Sequence, residues 1–125
     1  MLKIKSLFAL SALILFVPTP ARAEWIQMGT LKDNSEIYID VDSATVRNSS
    51  VTFWQRRSFA IPQNNGTQTT DAKMIIDCRS GRIKATQQTL FDSYGQVLFK
   101  SSVNDPFKII NANSVQADVA DFLCH

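Results

Sequence analysis

Two cysteines, Cys78 and Cys124, stand in a chain that opens like an exported protein. That pairing constrains the fold more than any other feature. Lys3 and Lys5 precede the apolar run LFALSALILFV, and Pro18, Pro20 and Ala21-Arg22-Ala23 follow it. A charged start, a short apolar core and a small-x-small end are the marks of a secretory leader. The run is shorter than the ~20 residues of a membrane span. Residues 1–23 are therefore expected to be a signal peptide, cut before Glu24, with 24–125 as one exported domain and no membrane span after cleavage. In an oxidising compartment two cysteines favour an intramolecular disulfide. A redox couple usually has C-x-x-C spacing, which this pair lacks. A structural zinc site takes about four ligands, and two cysteines with the terminal His125 fall short of that. No metal or other cofactor is expected. A bridge here closes a 47-residue loop, counting both ends. The chain-entropy model gives about 4 kcal/mol for such a loop, against a total stability of about 5–10 kcal/mol for a domain of this size.

Charge narrows the partner class. Without Lys3, Lys5 and Arg22, thirteen basic residues become ten against eleven acidic ones, a net charge of −1. A nucleic-acid binder would show a clustered basic excess, so no nucleic-acid partner is expected. No cysteine lies near residue 23, so a lipid anchor is not expected either. The protein should reside in the periplasm or be secreted.

Short extended runs separated by turn residues fill most of the exported part. They cover 25–30, 36–42, 51–61, 71–79, 82–92 and 96–101. Glu36 to Asp42 alternates, with Ile37, Ile39 and Val41 on one face and Tyr38, Asp40 and Asp42 on the other. Met74, Ile76 and Cys78 share a face in the fourth run. The period then changes. Val115, Val119, Phe122 and Leu123 stand at i, i+4, i+7 and i+8, which is one stripe of a helix over 114–124, capped by Asn113 or Ser114. A bridge from Cys124 to Cys78 would put that helix on the face that carries Cys78. The fold class is thus α+β: a six-stranded antiparallel β-sheet with one C-terminal α-helix packed on one face and disulfide-linked to it.

The reverse face is not purely polar. Alternation gives it Tyr38, Trp54, Ile75, Leu90 and Leu98 among Arg56, Lys73, Lys84 and Lys100. Aromatic residues and arginine are enriched at protein interfaces. Tyr38, Trp54, Arg56 and Arg57 are the candidate contact residues, although strict alternation puts Arg57 on the opposite face. A homodimer interface would use the same chemistry.

Asp40-Val41-Asp42-Ser43 resembles the start of a phosphatase nucleophile motif, but Ala44 stands where Thr or Val belongs. A calcium loop fails as well, with Ala44 at a ligand position and Val51 at the twelfth. The stretch reads as a strand whose polar face runs out into a turn. The alternative, a small periplasmic hydrolase built on Asp40 and Asp42, needs other groups that the sequence does not single out. The only histidine is His125, so no Ser-His or Cys-His pair lies inside the fold. A third reading is a structural or inhibitory envelope protein.

The order of short motifs resembles one family. Trp25 opens the exported part. Tyr38-Ile39-Asp40 with Ser43, Val51-Thr52-Phe53-Trp54, Asp77-Cys78 and Phe91-Asp92-Ser93-Tyr94-Gly95 follow, and a helix ends in Cys124. This series resembles the bacterial surface-adhesin E family. The resemblance implies a six-stranded antiparallel sheet bridged to a C-terminal helix through Cys78 and Cys124. It also implies a non-enzymatic, adhesin-like domain whose partner is an extracellular matrix or envelope protein.

Overall fold

A computed structural model describes residues 24–125. The leader expected over 1–23 lies outside the described residues. The sheet runs β1 (Trp25–Thr30), β2 (Glu36–Arg47), β3 (Ser50–Ser58), β4 (Thr69–Asp77), β5 (Arg82–Phe91) and β6 (Val97–Ser102), in chain order and antiparallel throughout. A two-residue β7 (Lys108–Ile109) adds to the outer edge of β5 below β6. Such a pair of residues after Pro106 carries no periodicity, so sequence reading does not find it. Helix α1 (Val115–Leu123) closes the chain.

The expected α+β architecture holds. One face of the sheet presents Ile39, Val51, Phe53 and Ile76, all buried, and α1 lays Val119 against them. Ser114 caps the helix: its hydroxyl accepts from the Ala117 amide at 3.1 Å. The Cys78–Cys124 disulfide ties the helix end to the sheet, with Cα atoms 5.7 Å apart. The bridge also sets the rotation of α1. Turning Cys124 toward the sheet centres the buried stripe on Val119 and Leu123. Phe122, expected on that stripe, stands at its rim and is 48 % exposed.

Four register shifts explain where simple alternation fails, the first at Met28, between the Gln27↔Tyr38 and Gly29↔Ile37 pairs. Four residues of β2, Val41 to Ala44, stand opposite Phe53 alone. Ser43 spans the gap: its hydroxyl accepts from the Trp54 amide at 2.9 Å and donates to the Asp40 carbonyl at 2.7 Å. Val41 and Ala44 fold inward against the core. The Asp40–Ser43 stretch is therefore a β-bulge in a long strand, where sequence reading expected a strand end. Thr86 is the extra residue between the Met74↔Ala85 and Lys73↔Gln87 pairs. A bulge inverts the alternation beyond it. Leu90, expected on the open face, consequently pairs with Thr70 on the helix face. In β6, Leu98 is the extra residue between Val97 and Phe99.

At the other end of the helix, Gly29 lets the backbone of β1 approach. A Cβ built there would lie 2.8 Å from Val115 Cγ2, inside any real contact distance. Overpacking of this kind costs about 1–3 kcal/mol. Gly29→Ala should lower stability in denaturant melts by that amount, and adding Val115→Ala should restore most of it. A neutral Gly29→Ala would show that the helix start does not seat on β1.

Candidate functional site

The face that α1 leaves uncovered is ordered by the register. Across the upper part of the sheet, Gln27, Tyr38, Arg56, Asp71, Thr89 and Lys100 form one row. The row below it holds Trp25, Asp40, Trp54, Lys73 and Gln87. Tyr38, Trp54 and Arg56 therefore share a face and stand on adjacent strands. All three are half-buried.

Arg56 is the hub. Its Nε and Nη2 donate to the two carboxylate oxygens of Asp71 at 2.7 and 2.8 Å, a bidentate fork. The Asp71 pair raises the guanidinium's proton affinity further. The Arg56 Cζ also lies 4.2 Å from the centroid of the Trp25 ring, in cation–π range. Asp71 is only 8 % exposed, and the fork gives both of its carboxylate oxygens a partner. Tyr38 donates its hydroxyl to the Glu36 carboxylate, which pushes the phenol pKa up. The result is a face that carries three aromatic rings, Trp25, Tyr38 and Trp54, in the same two rows as a fixed cation.

Arg57 points the other way. On the helix side it reaches back to the β1–β2 turn, with Nη2 at 2.7 Å from Asp33 and Nε at 3.0 Å from the Ser35 hydroxyl. The Ser35 hydroxyl and amide, and then Arg57, lower the Asp33 carboxyl from 3.8 to about 2. Because that pKa is depressed on folding, the stability it contributes is present above pH ~4 and lost as pH falls through about 2.

Asp40 sits on the open face between Trp25 and Trp54 in register. Its Oδ1 is buried without a hydrogen-bond partner. Asp42 lies exposed in the Ser43 bulge. Among the described residues no hydrogen bond or ion pair joins either carboxylate side chain to a third polar group. Among the described residues no three His, Cys, Asp or Glu side chains are grouped to hold a metal, and no helix is long and apolar enough to cross a membrane.

Sequence reasoning missed Trp25 and Asp71. Trp25 is the second residue after the expected cleavage site, and it entered the sequence reading as a family motif with no contact role. The match of Asp71 to Arg56 is visible only once β3 and β4 are in register.

The family model described as Surface-adhesin protein E matches residues 25–125. The selenomethionine form of Haemophilus influenzae protein E is similar in structure, with a TM-score of 0.59 at 18 % identity over 86 % of this chain and 90 % of that one. Crystal form II of the same protein gives 0.59 at 19 % identity over 86 % and 91 %. Protein E from non-typeable Haemophilus influenzae gives 0.54 at 18 % over 86 % and 79 %. At these identities the likeness is one of fold. A comparison with curated proteins finds no match.

The two arginines should behave differently. Arg56→Ala leaves the Asp71 carboxylate buried and unpaired, at a cost of about 1–3 kcal/mol in urea melts. Arg57→Ala removes an exposed pair and should cost no more than about 1 kcal/mol. Equal effects would show that the Arg56–Asp71 fork is not structural.

Proposed function

The chain belongs to the surface-adhesin protein E family, and on that premise we propose that it is an exported, non-enzymatic protein-binding domain. In this reading residues 1–23 are removed on export and 24–125 act in the periplasm or outside the cell. The uncovered sheet face is the contact surface, and the partner is an extracellular matrix or envelope protein.

The arrangement of Trp25, Tyr38, Trp54 and Arg56 carries this reading. Aromatic residues and arginine dominate interface hot spots. Here the arginine is already held by Asp71 and by the Trp25 ring. Its rotamer freedom is lost on folding, so less entropy is lost on binding. Lys73 beside Trp54 and Lys100 at the outer strand give the same face a cationic side. Asp40 and Asp42 enter this reading through the shape of β2, with no chemical step assigned to them.

The test is solid-phase binding of the oxidised domain to a panel of immobilised matrix proteins and to envelope extract. Trp54→Ala should weaken any captured partner about 30-fold or more, the loss expected of a hot spot worth 2 kcal/mol. Phe122→Ala, at the rim of α1, should leave binding unchanged. Equal binding by wild type and Trp54→Ala would remove the open face as the contact surface.

A further inference from the structure

At the lower end of the open face a hollow of about 540 Å³ lies between the β2–β3 turn and the segment leading into β7. It contains none of Tyr38, Trp54 or Arg56. Its apolar part is Ile75 and Phe107; its cations are Arg47 on one side and Lys84 on the other. Asn48 and Thr52 also line it. The register produces this layout. Thr52, Ile75 and Lys84 are paired across β3, β4 and β5, and Arg47 pairs with Ser50 at the turn. β2 and β5 stand three strand spacings apart, roughly 14 Å, so long side chains from the two sides enclose a small molecule's width.

The cations are uncommitted. Among the described residues the ion pairs are Arg56–Asp71 and Arg57–Asp33, and neither Arg47 nor Lys84 has one. Lys84 instead places its ammonium 4.9 Å from the Phe107 ring centroid. The nearby carboxylate of Asp77 accepts from the Arg79 and Ser80 amides at the β4–β5 turn and does not line the hollow.

We propose that this hollow binds an acidic sugar, a pyranose ring bearing a carboxylate. The carboxylate is held between Arg47 and Lys84. The apolar C–H edge of the ring packs on Ile75 and Phe107, and its hydroxyls meet the amide of Asn48 and the hydroxyl of Thr52. Each part of the hollow then has a counterpart. A neutral sugar leaves both cations unmatched, and a bare carboxylate such as acetate leaves the apolar pair, the Asn48 amide and the Thr52 hydroxyl unmatched. The volume falls within the ~300–1,000 Å³ of small-molecule sites.

Titration of the isotope-labelled protein with D-glucuronate, D-glucose and acetate, followed by amide NMR, tests the assignment. Glucuronate should shift the amides of residues 47–52, Lys84 and Phe107, and bind about tenfold or more tighter than glucose or acetate. Lys84→Gln and Phe107→Ala should each weaken glucuronate about tenfold, while Trp54→Ala leaves it unchanged and so separates this site from the protein-binding face. Arg47→Gln, on an exposed turn, serves as the second cation variant if Lys84→Gln disturbs the sheet. A hyaluronan tetrasaccharide distinguishes the source: tighter binding than the monosaccharide points to a polysaccharide chain, and equal or weaker binding to a free uronate. Acetate matching glucuronate would overturn the proposal in favour of a simple carboxylate site. No shift at these residues would overturn it outright.

Discussion

One covalent link, Cys78 to Cys124, decides which side of this sheet is inside. A helix of nine residues has little stability of its own. Fastened at its last turn to β4, and seated at its first turn on Gly29, α1 lies across one face and shields Ile39, Val51, Phe53 and Ile76 from water. The small size of the domain makes that covering necessary, because a single open sheet cannot bury enough apolar surface to outweigh chain entropy. Covering one face by the helix leaves the other face without an internal partner.

The open face is consistent with that division. Its rings are half-buried, and its central charge is fixed by a fork between neighbouring strands. The family assignment points to an adhesin-like surface protein. Charge is also spread unevenly across this face. On β2 Glu36 and Asp40 stand with Arg47, Arg56 on β3 pairs with Asp71 on β4, and Lys73, Lys84 and Lys100 stand on β4 to β6. A partner with the complementary distribution would be oriented by it as well as attracted.

Much of the fold was legible in the chain because two periodicities and two cysteines encode it. The alternation of Ile37, Ile39 and Val41, the helical spacing after Ser114 and the two cysteines led to a sheet, a helix and their bridge. Features set by register were not legible. The Thr86 bulge moved Leu90 to the helix side, and no residue near it marks a bulge. The Ser43 hydroxyl turned an apparent strand end into a continuation, because a side chain replaced a ladder hydrogen bond. Of the candidate contact residues, Tyr38, Trp54 and Arg56 came together, since alternation holds over 51–58. Arg57 went to the helix side by the same rule. Asp71, which fixes Arg56, and the Arg47–Lys84 hollow depend on pairings between strands that no single stretch reveals.

The most direct test is amide hydrogen exchange on the oxidised domain, alone and saturated with a bound matrix or envelope protein. With a partner bound, added protection should fall on β2, β3 and β4 around Tyr38, Trp54, Arg56 and Lys73, with exchange across α1 unchanged. Protection confined to α1 and the Cys78–Cys124 region would contradict the account, because recognition would then use the side that the bridge closes.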